Sequence, residues 1–418
     1  MEETQSASDL EPPSSSHLRP ITNLDPPLPA SVLLDRELSH KSSLRRKGNI
    51  LTGCPELDEY VLLGGFERGS VVGISSEDEE FALRIGLQTV ANLLVSKPEA
   101  RARIVTTLPP VGLLPKLREV VAGEVVERRG VEEVPGGLRA VVYGYFRRVE
   151  ISRVFDFEGL GDVIGELEGE GTEDVVDGGE RGVVAEDKDG GGGGEQTAPK
   201  QTKPTPQKGR PRQNNPPRTP LPDLILITHT STLLNTLFTG RDKPTAHEKA
   251  SLLFSRLHHL TRPPNHGNPL IILLNSTTSP FTPETAAQTS DYLANMARPP
   301  MPRETDPSER PRSIIEPTLR SVFGVGSAAS MGRGQVQIGK PSFGNVFAKM
   351  LDVHMLCTRI PRVVDGGSSW VVEVLLDGLG VYEMEGDGEE RGVVRRCREQ
   401  RWGPLEVDGA GRVVAAFR

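Results

Sequence analysis

The stretch from Thr52 to Val95 decides the fold, and it reads TGCPELDEYVLLGGFERGSVVGISSEDEEFALRIGLQTVANLLV. A glycine turn at Gly64 and Gly65 leads into the short apolar run 70–74, which is typical of a buried strand. After a loop, apolar side chains recur at the spacing of a helix, at Leu83, Leu87, Val90 and Leu94. A turn, a strand, a loop and an amphipathic helix in this order indicate an α/β core of the kind that binds phosphates.

The loop of this core lacks the residues that phosphate binding requires. A phosphate loop is rich in glycine, so that backbone N–H groups can surround the phosphates, and it carries a lysine and a Ser or Thr that holds Mg²⁺. Here the corresponding residues are Ser76, Glu77, Asp78, Glu79, Glu80, Phe81, Ala82 and Leu83. The order of elements is that of a phosphate-binding core, but the glycines and the lysine that would bind phosphate are absent from residues 76–83.

Composition limits how much of the chain can fold. The 418 residues include 45 Gly and 35 Pro, whereas 36% are hydrophobic and only 5% are aromatic. A chain with so few large apolar side chains cannot bury a core along its whole length. We therefore predict one α/β domain interrupted by long disordered inserts.

Charge and cysteine spacing argue against several classes of protein. The net charge is −8, whereas a dedicated nucleic-acid-binding protein usually carries a basic excess. The three cysteines stand far apart, without the spacing of a zinc site or a disulfide framework. The start MEETQSASDLEPPSSS lacks the regions of a signal peptide, and no apolar run approaches the roughly 20 residues of a membrane helix. We expect a soluble intracellular protein without a metal.

Shifts in composition predict the domain boundaries. Residues 1–47 form a disordered tail, in which Ala30–Ser39 can form a short helix. The core domain comprises residues 48–165 and 221–418. The insert between them, residues 166–220, is acidic before its glycine run and basic after it, which predicts a flexible linker. An irregular loop, residues 280–342, lies within the core.

Strand and helix patterns alternate along the core. Apolar runs at 102–108, 224–227 and 269–274, with a helical pattern between the last two, predict a parallel sheet covered on both faces. Two β-rich runs, 138–142 and 149–155, also predict strands.

The end of the chain carries a further strand pattern. The runs Trp370–Leu376 and Gly392–Arg401 predict a C-terminal antiparallel hairpin, with Asp377–Glu390 as its exposed loop.

Three segments resemble the ATPase core of the RecA-type recombinases, in the fungal-type eukaryotic recombinase-paralogue branch. Residues 51–58 and 63–70, LTGCPELD and LGGFERGS, are similar to the entry to that core. The run ISRVFDF at 151–157 is similar to the segment after its third strand, and FGNVFAK at 343–349 to the stretch after its second DNA-binding loop. The resemblance implies a RecA-like three-layer core with a mostly parallel sheet.

The same resemblance implies four catalytic positions, and each of them is altered. The lysine and Ser/Thr of the phosphate loop fall on Ala82 and Leu83, and the metal-orienting Asp falls on Thr228. The Gln that senses the γ-phosphate falls on Ser276, while residues 102–116 contain no Asp or Glu to activate water. Because phosphoryl transfer depends on positioning and charge stabilisation by such groups, we predict a pseudo-ATPase without catalytic residues. ATP and Mg²⁺ are possible by ancestry, but no bound cofactor is expected.

The resemblance also implies a cellular role. We expect an accessory recombinase paralogue that acts in the nucleus, in homologous recombination and repair of DNA double-strand breaks. It would act in a hetero-oligomer with other recombinase paralogues or the active recombinase, with single-stranded DNA as a further partner. The tail lacks the Phe-x-x-Ala tether through which active members of the family form filaments, so self-polymerisation is not expected.

By the same resemblance, two loops would face DNA, near Thr239–Lys249 and Ser279–Lys340. A neutral, disordered second loop is the alternative. The basic residues of the second loop that could contact DNA phosphates are Arg298, Arg303, Arg310, Arg312, Arg320, Arg333 and Lys340.

Two other functions stay open. Catalytically inactive RecA-like folds also form ring subunits of the Elongator tRNA-modification complex, and the acidic loop is compatible with such a scaffold. The segments Val154–Phe157 and Phe343–Lys349 favour the recombinase paralogues. An ATP-dependent DNA-binding ATPase is the third reading. His229, His258 and His259 are predicted to be structural, because no ligands at matched spacing accompany them.

Overall fold

The structure is a computed structural model that describes residues 29–130, 137–171, 221–262, 267–278, 321–322, 339–362, 367–385 and 392–417. Predictions for residues 1–28 and 172–220, and for nearly all of 279–338, lie outside the described residues. The chain divides into two units, residues 1–43 and residues 44–418.

Helix α1 begins in the smaller unit, and the other helices and the strands belong to the larger one. The helices are α1 (Ala30–Lys47), a π-helix (Glu56–Val61), α2 (Glu79–Ser96), α3 (Pro110–Arg129), α4 (Leu138–Phe146), α5 (Phe157–Gly171), α6 (Thr230–Gly240), α7 (Lys243–Thr261) and α8 (Gly344–Ala348). The strands are β1 (Val71–Ser76), β2 (Ala102–Thr106), β3 (Val149–Arg153), β4 (Leu224–Ile227), β5 (Leu270–Thr278), β6 (Lys340–Pro341), β7 (Val353–Pro361), β8 (Ser368–Asp377), β9 (Val381–Glu385), β10 (Gly392–Arg396), β11 (Trp402–Val407) and β12 (Val413–Ala415).

One sheet organises the fold, in the order β12-β11-β8-β7-β1-β5-β4-β2-β3. The strands from β7 to β3 pair in parallel, whereas β8, β11 and β12 extend the sheet with antiparallel pairs. The short β6 pairs antiparallel with β5. The predicted α/β class with a mostly parallel sheet is confirmed, and antiparallel strands extend this sheet near the C-terminus.

Two apolar cores lie on opposite faces of the sheet and give the three layers. Alternate residues of β1 point to opposite faces, so Val72 and Ile74 join the core under α2 and α3 whereas Val71 joins the core under α5, α6 and α7. Strands β4 and β5 divide in the same way. Burial on both faces explains why these strands are continuous apolar runs in the sequence.

The turn before β1 is organised by Asp58. The carboxylate of Asp58 accepts the N–H groups of Thr52 and Gly53 at 2.8 and 3.0 Å, and its carbonyl accepts those of Gly64 and Gly65. Both Gly64 and Gly65 have positive φ, 115° and 87°, which is the conformation that glycine tolerates. The predicted glycine turn is present, and the π-helix precedes it.

The predicted strand at residues 138–142 is wrong, because this run belongs to α4. Val142 and Tyr145 are buried, and Leu138 and Val141 pack partly against the same core. These side chains recur at the spacing of a helix face, and burial of that face overrides the β-branched composition of the run.

The predicted pairing of the C-terminal hairpin is also wrong. Strand β8 pairs with β7 and β11, and not with β10. Strand β10 instead pairs with β9, which lies in the stretch 377–390 predicted to be a loop. A strand pattern indicates an extended segment but does not specify its partner, so the pairing could not be read from the sequence.

Two helices extend beyond their predicted limits. Helix α1 runs to Lys47, past the predicted Ala30–Ser39, and none of its residues is buried. Helix α5 runs to Gly171, beyond residue 165, where the predicted core segment ends. Within the described residues, no helix combines the length and apolar character needed to cross a membrane.

A substitution in β1 tests the packing of α8 on the sheet. A Cβ at Gly73 would overlap Leu351 and lie 2.8 Å from the ring of Phe347. We expect Gly73→Ala to lower the free energy of unfolding by about 1–3 kcal/mol, as measured by urea denaturation. Gly112→Ala in α3 is the matched control, because nothing lies within 4 Å of that Cβ. It should be neutral or stabilising by up to about 1 kcal/mol, since alanine favours a helix. Equal stability of the two variants would contradict this packing.

Candidate functional site

The candidate site lies where β1 ends and α2 begins. Only Glu77 and Asp78 separate the strand from the helix, whereas a phosphate loop inserts several residues whose N–H groups face the ligand. Asp78 caps α2: its carboxylate accepts the N–H of Glu80 at 2.9 Å, and its carbonyl accepts those of Phe81 and Ala82. Helix N-terminal donors that could bind an anion are therefore satisfied by the protein itself.

Phe81 lies at the position that the family resemblance assigns to the last glycine of a phosphate loop. Its ring stacks on Trp370 of β8, with centroids 4.4 Å apart and planes inclined by 12°. Phe81 and Ala82 are each 1% exposed, and Leu83 is 4% exposed. The first turn of α2 is thus part of the apolar core and joins β1 to the antiparallel strands.

One acidic residue of this turn, Glu80, is paired with cations of the same chain, whereas Glu79 lies beside a histidine. The carboxylate of Glu80 contacts Lys116 and lies 3.5 Å from Arg84, while Glu79 lies 3.7 Å from His229. Carboxylates at the N-terminus of a helix also interact favourably with its dipole. These acids are therefore accommodated without a ligand.

Glu77 binds the end of the long irregular loop to the sheet. One oxygen of its carboxylate accepts the N–H of Gly339, and the other accepts that of Arg359, both at 3.3 Å. Its own N–H donates to the carbonyl of Cys357. A residue predicted to lie in a vacant phosphate loop therefore links β1, β7 and the residue before β6.

Thr228, at the position of a metal-orienting Asp, is 1% exposed. Its hydroxyl donates to Thr106 Oγ1 at 2.8 Å and pairs with Nδ1 of His229, also at 2.8 Å. Burial lowers the pKa of His229, although the nearby Glu79 carboxylate opposes this. This end of β4 therefore presents neutral hydroxyl and imidazole groups in place of the carboxylate that orients Mg²⁺.

Asn275 and Ser276 lie at the end of β5. The amide of Asn275 donates to Ser75 Oγ at 3.1 Å and to the carbonyl of Ser342 at 3.0 Å, while the hydroxyls of Ser276 and Ser342 lie 3.3 Å apart. Both side chains thus bind neighbouring strands and the segment before α8.

A nucleotide with Mg²⁺ does not fit these residues. The cleft between α2 and the ends of β4 and β5 offers about 10 Å³, which is space for about one water molecule. No lysine replaces the phosphate-loop cation among its lining residues. They are Glu79, Ala82, Leu83, Thr228, His229, Leu274 and Asn275.

Ser75 and His354 form a buried pair that sequence reasoning missed. Ser75 Oγ lies 2.9 Å from His354 Nε2, and both residues are 0% exposed. His354 Nδ1 has no partner among the described residues, and the pair has no access to a substrate. The two residues lie 279 positions apart in the chain, so only the pairing of β1 with β7 brings them together.

The structure describes only part of the predicted DNA surface. Arg298, Arg303, Arg310, Arg312, Arg320 and Arg333 lie outside the described residues, and Lys340 is exposed at the start of β6. The predicted first loop is wrong, because residues 239–249 belong to α6 and α7 apart from a short link. Asp242 caps α7 by accepting the N–H of Thr245, a helix-start signal that could have been read from the sequence.

The remaining histidines are not brought together. His258 Nδ1 lies 3.8 Å from Asp352, and His259, with a side chain that is 61% exposed, lies 4.0 Å from Glu168. In the described part of the chain, no group of three or more His, Cys, Asp or Glu side chains could hold a metal ion.

Comparisons with known proteins find a likeness in structure but not in sequence. No protein-family model matches the chain, and a search of curated proteins finds no match. A crystal structure of the RadB recombinase matches 88% of this chain and 99% of its own, with 11% sequence identity and a TM-score of 0.40. A likeness at this level does not assign a family.

The buried His354 predicts an acid-sensitive fold. Burial lowers its pKa to about 4 from 6.5. Between pH 6.5 and pH 4 this histidine is protonated in the unfolded chain but neutral in the folded protein. The free energy of unfolding should therefore fall by up to about 3 kcal/mol as the pH drops from 6.5 to 4. Urea denaturation across this range should show a shallower pH dependence for His354→Gln than for the wild type. The same substitution at the exposed His259 is the control, and parallel curves for His354→Gln and the wild type would contradict the prediction.

Proposed function

We propose that this protein is an accessory recombinase paralogue, a pseudo-ATPase that acts in homologous recombination and DNA double-strand break repair in the nucleus. It would act by holding protein partners together, and not by hydrolysing ATP. The recombination role rests on the sequence resemblance at residues 51–70, 151–157 and 343–349. Its non-catalytic character is supported by the geometry at the start of α2.

The stacking of Phe81 on Trp370 is the observation that carries the pseudo-ATPase proposal. A phosphate loop requires glycine at this position, so that the backbone can approach the phosphates closely. Here the same position anchors α2 to β8, with a ring that is 1% exposed. Separating a buried aromatic ring from its partner costs about 3 kcal/mol or more. Nucleotide binding at this position would thus require Phe81 to leave the apolar core, which would lower the stability of the fold.

The edge of the sheet at β3 supports a role in binding proteins. In the part of the chain that the structure describes, β3 pairs only with β2, so its other side has unpaired backbone groups. Phe155 follows the strand and is 72% exposed, with the guanidinium of Arg153 4.6 Å from the centre of its ring. Tyr143 of α4 is 59% exposed. An open strand edge and exposed aromatic side chains are common features of protein interfaces.

Calorimetry tests the pseudo-ATPase proposal. Titration of the full chain with ATP and Mg²⁺ should release no binding heat up to about 1 mM nucleotide, because Glu79 in the lining repels phosphate and the cleft holds about one water molecule. Micromolar binding would overturn the proposal and restore the reading as an ATP-dependent enzyme.

Partner capture tests the cellular role. A tagged protein recovered from cells, with and without DNA damage, should retain recombinase subunits identified by mass spectrometry. Phe155→Glu should reduce their recovery at least about tenfold, because a hot-spot aromatic side chain at an interface contributes 2 kcal/mol or more. Leu252→Glu is the matched control, on an α7 side chain that is 63% exposed. Recovery of Elongator subunits instead would replace the recombination role with the scaffold role.

A further inference from the structure

A cluster of basic side chains lies where the parallel strands begin, at the end of the strands opposite the candidate site. Arg68 precedes β1 and Asp223 precedes β4, so both lie where parallel strands begin. Lys97 follows α2, and Lys47 is the last residue of α1. The charges of Arg68 and Asp223 act on both lysines, so the four side chains form one electrostatic group.

The single carboxylate of this group is already occupied. One oxygen of Asp223 accepts a bond from Arg68 Nη1 at 2.7 Å, and the other accepts the N–H of Arg101 at 3.1 Å. The side chain of Arg68 is 3% exposed, and its buried Nε has no partner within the described residues. Asp223 therefore pairs with Arg68 and, among the described residues, forms no ion pair with either lysine.

The two lysines are bound to neutral acceptors only. Lys47 Nζ donates to the carbonyl of Gly267 at 2.9 Å and to Asn268 Oδ1 at 3.3 Å, while Lys97 Nζ donates to the carbonyl of Lys47 at 2.9 Å. Neither ammonium has a carboxylate partner in the part of the chain that the structure describes. Since an ammonium has three N–H groups, one on Lys47 and two on Lys97 are available to a ligand.

Arg148 offsets the partial negative charge at the C-terminal end of α2 in the same region. Its guanidinium donates to the carbonyls of Leu94, Lys97 and Ala100, at 2.7, 2.8 and 3.0 Å. Carbonyls at the C-terminus of a helix would otherwise repel an anion. With Arg148, the group has four cations, and the carboxylate of Asp223 is its one anion. The cations are Lys47, Lys97, Arg68 and Arg148. Burial and the charge of Arg68 lower the pKa of both Lys47 and Lys97, although the Asp223 carboxylate opposes this.

We propose that Lys47 and Lys97, with Arg68 and Arg148 behind them, form a binding site for a phosphate group. A phosphate has several negative charges and acceptor oxygens in one small group, which matches the excess of positive charge and the available ammonium N–H groups. The phosphate is supplied either by a small polyphosphate or by the backbone of a nucleic acid. This site is separate from the vacant loop at β1 and uses no residue of it.

Two titrations of the full chain test the site. Inorganic pyrophosphate is followed by calorimetry, and a labelled single-stranded oligothymidine by fluorescence anisotropy at low salt. Lys47→Gln/Lys97→Gln removes the proposed donors and leaves the buried Arg68 in place. Lys243→Gln/Lys349→Gln is the matched control, because it removes two exposed lysines elsewhere and changes the net charge equally.

The wild type and the control pair should bind at least one of the two probes, and Lys47→Gln/Lys97→Gln should weaken that binding at least tenfold. Loss for pyrophosphate supports a small polyphosphate as ligand. Loss for the oligonucleotide alone, with affinity that falls as salt rises, supports a nucleic acid backbone. Equal affinities of the two double variants, or no binding by the wild type, would overturn the proposal. Thermal unfolding of each variant checks that it is folded.

Discussion

Burial of β1 on both faces is the constraint on which the rest of the structure depends. Every residue of β1 is buried, with α2 and α3 covering one face and α5 to α8 on the other side of the sheet. The parallel partners β5 and β7 lie beside it, and the turn at Asp58 directs the chain into it. A strand so enclosed requires helices on both sides, which is why the sheet is parallel at its centre.

This enclosure also explains how the end of β1 stays folded around a connection of only two residues, Glu77 and Asp78. The same strand-to-helix connection that could expose N–H groups to a ligand is capped by Asp78, stacked through Phe81 and tied to β7 by Glu77. Each replacement adds a contact within the chain. Stability and nucleotide binding are therefore alternatives at this position, and the side chains present serve stability.

Charge is distributed unevenly between the two ends of the parallel strands. At the end where β1 stops, Glu80 contacts Lys116 and lies near Arg84, whereas Glu79 lies beside His229, whose pKa is lowered by burial. At the other end, Lys47 and Lys97 have only neutral acceptors while Asp223 is held by Arg68. Because an uncompensated charge is stabilised by binding a counter-ion, the end where the parallel strands begin is the more suitable place for an anionic ligand.

Local features of the sequence were enough to predict the fold class, the strand-turn-helix frame at residues 52–95 and the acidic connection after β1, because buried strands, glycine turns and residue types are local. Helix α4 was missed because burial of one helical face overrode its β-branched residues. Only the tertiary structure decided the pairing of β8 with β11, the stack of Phe81 on Trp370 and the pair of Ser75 with His354. Each of these joins segments far apart in the chain, and a local pattern contains no information about which distant segment will cover it.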